Sequence, residues 1–108
     1  MPDLKIDPTL HDFQQYVTLM EKERGFSQQT ATDKCLLLGE EVGELFKAVR
    51  RLNGLAVDPA SEIFELEHEL ADVFIYLCSI ANRYNISLEQ AFRNKEKKNK
   101  QRNWTAKS

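Results

Sequence analysis

The residues best suited to chemistry are acids at fixed spacing. Glu40, Glu41 and Glu44 stand in the stretch Gly39-Glu40-Glu41-Val42-Gly43-Glu44-Leu45, and Glu69 and Asp72 close the block Glu69-Leu70-Ala71-Asp72. Both blocks lie in apolar text of helical period, where an interval of three places two side chains on one helical face. Four carboxylates from two helices could build one site for a hard divalent cation. The plainer explanation is a solvated acidic face, because acids are common on helices and one ExxE pair says little.

Rotation angles separate these readings. At about 100° per residue, with Glu41 as origin, Leu38, Val42, Leu45, Phe46 and Val49 occupy an arc from ~40° to ~140°. Glu44 then falls at ~300° and Glu40 at ~260°. With Glu69 as origin on the later helix, Ile63, Leu66, Leu70, Val73, Phe74 and Leu77 fill the same arc, and Asp72 falls at ~300°. If the two arcs pack together, Glu41 meets Glu69 and Glu44 meets Asp72 along one seam. Glu40 lies outside this pairing and is assigned to water or to a second metal.

The charges are also uncompensated. Like charges four apart, as in Glu40 and Glu44, destabilise a helix, and no lysine or arginine lies between Cys35 and Phe46 to offset them. Glu62, Glu65, Glu69 and Asp72 likewise form a stripe with no interleaved lysine or arginine. Neither block sits in a first helical turn, where the dipole favours acids. A set of carboxylates without cysteine or histidine favours Mg²⁺, or Mn²⁺, over zinc. Gly39 and Gly43 share the face opposite the acids, which is read here as a close helix–helix crossing.

A second charged segment lies downstream. Arg93, Lys95, Lys97, Lys98, Lys100 and Arg102 make a basic run. Such a run is commonly a solvated helix end. Lys95, Asn99 and Arg102, however, are spaced i, i+4, i+7 on one face. Ammonium, amide and guanidinium together suit phosphate oxygens. Nucleic acid is the competing ligand, but a net charge of −2 and the lack of a binding motif argue against it.

The elements that must position these groups are helices. Thr9 and Asp12 form a capping box, Leu10, Phe13, Val17 and Met20 make one apolar stripe, and Gly25 ends the first helix. The second helix starts at Thr30 or Lys34 and stops at Asn53-Gly54. Asp58 caps a third helix with Pro59 in its first position, running to about Tyr84, with Asn85 at its end. Ser87-Leu88-Glu89-Gln90 reads as a capping box for a fourth, which continues to Lys98 or beyond. The fold class is all-α: a four-helix, bundle-like subunit whose two long central helices form the core.

The chain of 108 residues is 42% hydrophobic, which suits one small domain, 1–108, that gains from association with a second copy. Residues 1–6 and 103–108 read as loose termini. Cys35 and Cys78 lie in apolar helical patterns without a CxxC or a nearby histidine, so they read as buried reduced thiols of a cytoplasmic protein. His11 and His68 have no partner constellation. No apolar run has the ~20 residues a membrane span requires, and the N-terminus lacks a signal-peptide core.

Taken in order, Glu40-Glu41-x-x-Glu44, a spacer and Glu69-x-x-Asp72 resemble the EExxE…ExxD signature of the MazG-like all-α nucleoside triphosphate pyrophosphohydrolases. Gly43-Glu44-Leu45, Leu70 to Leu77, and the segment Lys95, Asn99, Arg102 match its surrounding text, and Arg24-Gly25-Phe26 resembles the end of its first helix. The resemblance runs from about Leu10 to Trp104. It implies Mg²⁺-dependent hydrolysis of a ribo- or deoxyribonucleoside triphosphate to the monophosphate and pyrophosphate, in nucleotide-pool cleaning. By this resemblance Glu41, Glu44, Glu69 and Asp72 ligate metal, and Glu40 is a further ligand or orients and deprotonates the attacking water. Lys95, Asn99 and Arg102 hold phosphate oxygens, and the subunits form homodimers or homotetramers. A tryptophan common in the family's first helix is absent here, with Tyr16 or Phe13 in its place. The alternatives are a phosphoribosyl-ATP pyrophosphohydrolase and a non-enzymatic helical interaction module whose acidic seam pairs with a basic helix.

Overall fold

A computed structural model describes residues 2–54 and 59–102 of the chain, apart from the side chains of 59–64. Four helices follow in order: α1 (Leu10–Arg24), α2 (Ala31–Leu52), α3 (Pro59–Arg83) and α4 (Leu88–Gln101). The described residues contain no strand. The expected cap at Asp58, the connector over Leu55–Val57 and the tail after residue 102 lie outside the described residues.

Local chemistry explains the boundaries. Asp12 N–H donates to Thr9 Oγ1 at 3.1 Å, and Thr9 N–H donates to Asp12 Oδ2 at 2.8 Å. Thr30 and Asp33 repeat this box at 3.1 and 2.9 Å, which resolves the start of α2 in favour of Thr30 over Lys34. Each such cap stabilises its helix by about 1 kcal/mol. Gly25 closes α1 at φ 79°, a left-handed conformation that a Cβ would strain. Asn85, at φ 55°, turns the chain after α3. At α4 the box is only half made. Gln90 N–H donates to Ser87 Oγ at 3.2 Å, but the Gln90 amide donates to Asn94 Oδ1 instead of returning to Ser87.

The long helices α2 and α3 pack along each other most extensively, α1 lies on α3, and α4 rests on α1. Ala48 of α2 is buried, but the main cluster of buried residues described is not between the central pair, where the apolar arcs suggested it. It lies between α1 and the second half of α3, where Val17, Met20 and Cys78 are buried with Phe13, Tyr16, Phe74, Ile75 and Leu88 around them. Phe13 and Phe74 meet edge to face, with ring centres 5.3 Å apart. The Gln14 side chain fastens α1 to the α3–α4 turn. It donates to Asn82 Oδ1 and to the Ile86 carbonyl, and accepts from Leu88 N–H.

The arcs of α2 and α3 are covered on one edge only. Leu38, Val42, Leu45, Leu66 and Val73 are half-buried. Phe46 and Val49 on α2, and Leu70 and Leu77 on α3, remain exposed. Cys78 is buried as expected, but Cys35 is exposed, because α3 covers a single side of α2. Gly39 and Gly43 make no close crossing among the described residues: a Cβ on either would meet none of them within 4 Å.

Candidate active site

Glu41 stands in the middle of α2, and Glu69 and Asp72 stand one turn apart on α3. Packing of these helices brings the three together, each half-buried, with one carboxylate oxygen apiece lying within 4.8 Å of the others. Two oxygens on opposite sides of a single Mg²⁺ stand about 4.2 Å apart, twice the ordinary bond length. A small contraction therefore suffices for one hard cation to take all three donors. The donor set is entirely oxygen, which suits a hard cation better than a soft one.

The electrostatics point the same way. Burial pushes the Glu41 carboxyl above its ordinary range, and a hydrogen bond shared with Glu69 and the negative fields of Asp72, Glu69 and Glu44 push it further. A carboxylate that resists ionisation beside other acids is short of positive charge. No arginine or lysine among the described residues pairs with any member of the trio.

The seam therefore differs in detail from the facing pairs expected of it. Glu41 meets both Glu69 and Asp72. Glu44 is exposed and lies outside the group of three, close enough to act on Glu41 through its charge. Glu40 is also exposed, and its charge reaches Tyr76. Lys95 and Arg102 are exposed on α4, and Asn99 is half-buried, its amide donating to Glu96 Oε2 at 2.8 Å. All three travel with α4 on α1, and none lines the cleft beside Asp72.

That cleft, of about 120 Å³, is walled by Asp72, Tyr76, Phe26, Met20, Arg24 and Ile75, with the buried Lys34 and Glu21 at its floor. A larger cavity of about 550 Å³ between α1 and α4 includes none of the five acids among its walls. The floor is a buried ion cluster that the sequence reading missed. Glu21 Oε1 accepts from Arg83 Nη1 at 2.9 Å, and Oε2 accepts from Ser79 Oγ at 2.6 Å with Lys34 Nζ 3.2 Å away. Arg83 also donates to the carbonyls of Gln29, Phe26 and Ser79. The Lys34 ammonium lies 5.0 Å from the Phe26 ring centre and 5.4 Å from that of Tyr76. Burial works to raise the Glu21 carboxyl, but hydrogen bonds from Ser79, Arg83 and Lys34 outweigh it and hold the group below its ordinary value.

One signal could have revealed this cluster. Lys34 stands near the N-terminus of α2 and Glu21 near the C-terminus of α1, each against the helix dipole. Such placements ask for a tertiary partner. Phe26 and Tyr76, with Lys34 between them, are the aromatic pair at the cleft. Phe13, by contrast, is committed to the core against Phe74.

Comparison with known proteins agrees with this geometry. Residues 26–105 match the MazG nucleotide pyrophosphohydrolase domain. The chain is also 35% identical over 101 residues to a mouse (Mus musculus) protein named dCTP pyrophosphatase 1, a match covering 89% of this chain. It spans 59% of that relative's length. The matched segment contains all five acids, both cleft aromatics and the basic face of α4. The chain belongs to the family of the MazG nucleotide pyrophosphohydrolase domain.

Proposed function

We propose that the protein is a divalent-cation-dependent nucleoside triphosphate pyrophosphohydrolase, cleaving a ribo- or deoxyribonucleoside triphosphate to the monophosphate and pyrophosphate. The observation that carries this reading is the convergence of Glu41, Glu69 and Asp72, unpaired with any lysine or arginine among the described residues, in a chain of this family. These three carboxylates hold the ion, Mg²⁺ or Mn²⁺, with Glu44 one turn along α2 as a further ligand. When bound, the ion supplies charge neutralisation for the polyphosphate and Lewis acidity. Glu40 orients the attacking water and takes its proton as a phosphoanhydride P–O bond breaks and pyrophosphate leaves. Lys95, Asn99 and Arg102 clamp phosphate oxygens.

A homodimer or homotetramer belongs to the same reading. The exposed Phe46, Leu70 and Leu77 give the central helices an apolar surface that a second copy would cover. Phosphate ligands on a helix that packs on α1, outside the cleft beside Asp72, call for such a neighbour. The whole chain, 1–108, acts as one domain. Its place is the cytoplasm and its role is nucleotide-pool cleaning, to which the deoxynucleotide in the relative's name lends support. None of the described helices is long and apolar enough to cross a membrane, and the modest net charge gives no general attraction to nucleic acid.

The test is a panel of triphosphates, phosphoribosyl-ATP included, incubated with Mg²⁺ and resolved by ion-exchange chromatography. Monophosphate and pyrophosphate are expected as products, and none should form with a chelator present. Undiminished turnover in folded Glu41→Gln and Asp72→Asn variants would falsify the assignment.

A further inference from the structure

We infer that Lys34 is a specificity-determining residue, whose buried ammonium selects a single-ring base carrying a carbonyl oxygen, that is, a pyrimidine over adenine. The inference rests on the triphosphate reading above and deepens it.

The cleft shares Asp72 with the carboxylate trio. A substrate with its phosphates at those carboxylates therefore has this cleft as neighbouring room for its base. The volume, about 120 Å³, suits one ring. A dry cavity of about 150 Å³ is known to accept benzene, so two fused rings would be crowded. Phe26 and Tyr76 supply ring faces for stacking.

Charge at the floor decides which edge of the base is welcome. Two cations, Lys34 and Arg83, share the one carboxylate of Glu21, and the cleft is also lined by one further cation, Arg24, and one further carboxylate, Asp72, so one positive charge remains in excess. Arg83 is committed, with donors spent on Glu21, Ser79 and the carbonyls of Gln29 and Phe26. Ser79 and Arg83 each bond one Glu21 oxygen, and Lys34 shares Oε2 with Ser79, so this carboxylate takes at most one of the Lys34 donors. Lys34 has three N–H donors, and Glu21 is its only polar partner among the described residues. Its side chain is 4% exposed, and the residue lines the cleft. A buried surplus cation with donors to spare favours an acceptor oxygen and disfavours an amino group. Thymine, uracil and cytosine present such an oxygen, and adenine has none.

The experiment compares kcat/KM for dTTP, dUTP, dCTP, dATP and deoxyribose 5′-triphosphate, which lacks a base, in the wild type and in Lys34→Met. The wild type is expected to prefer at least one pyrimidine over dATP. Lys34→Met should reduce that preference by about 10-fold or more, the worth of one charged hydrogen bond. The loss should fall mainly on KM, with the base-free triphosphate unaffected. Lys34→Gln, which keeps a donor, should recover part of the preference. Glu21→Gln/Lys34→Met, which removes both charges of the pair, serves if the single variant fails to fold. A wild type that cleaves dATP as well as every pyrimidine overturns the inference. So does an unchanged preference in Lys34→Met, or an equal loss on the base-free substrate. Calorimetric binding of dTMP and dAMP separates the two levels of the reading. A pyrimidine preference in binding that Lys34→Met removes, without turnover of any triphosphate, sinks the enzyme and keeps Lys34. Turnover with a base preference indifferent to Lys34 does the reverse.

Discussion

Two carboxylate-centred groups flank Tyr76, and they differ in almost every respect. On one side Glu41, Glu69 and Asp72 crowd together with no base among them. On the other, Glu21 is enclosed by Lys34, Arg83 and Ser79. Burial acts on both to disfavour charge, yet Glu41 titrates above its ordinary range and Glu21 below it. The difference is made by partners. One group is complete within the chain and ties α1, α2 and α3 together. The other draws no lysine or arginine partner from the described residues, an electrostatic pattern common at functional sites.

The largest expected effect comes from damaging the completed group. Glu21→Gln strands the buried Lys34 and the half-buried Arg83 and should cost about 3–5 kcal/mol in urea unfolding. The native carboxyl is held below the ordinary value of 4.5, so the folded state carries fewer protons there than the unfolded state. The Glu21 contribution is therefore fully present above pH 4.5 and is lost as pH falls through the folded value. Acid titration of stability in the wild type should show this loss, and Glu21→Gln should flatten it.

Next comes the incomplete group, where function and stability should part company. Asp72→Asn should lower kcat/KM for a cleaved triphosphate by about 100-fold or more, since even outer-shell partners of a metal cost 10–100-fold. Thermal stability without added metal should hold or rise, because one like charge is gone. A variant that loses activity only by unfolding would place Asp72 in the scaffold.

Mg²⁺ should raise the melting temperature of the wild type, with about 2.7 kcal/mol of stabilisation at a hundredfold excess over Kd. The same titration on Glu41→Gln should show little shift, whereas Glu21→Gln should respond as the wild type does. A response that follows Glu21 instead would reverse the roles assigned to the two groups. The smallest effect is expected from Thr30→Ala, which removes the cap of the turn that delivers Lys34 to Glu21. A loss of about 1 kcal/mol in stability is expected, with the Mg²⁺ shift intact.

Much of the fold was legible because helices are written in local chemistry. The Thr9 and Thr30 caps, Gly25, Pro59 and the apolar periodicity act over a few residues, and the helix bounds follow them closely. Glu69 and Asp72 share a face for the same reason, whatever surrounds them. The rotation frame could not say how far one helix slides or turns against the next. That freedom let Asp72 join Glu41 and left Glu44 outside.

By itself, then, the sequence determined an all-α chain, the acids that share a helical face and the family signature they spell, because each depends on separations of three or four residues. Only the tertiary structure decided which acids meet, that α4 lies on α1, and that the main buried cluster described lies between α1 and α3. It alone assembled Glu21 with Ser79, 58 positions away, and with Arg83, 62 away. The physical reason is one of range. Backbone geometry fixes neighbours within a turn, whereas the register between helices follows from the packing and charge balance of the folded molecule.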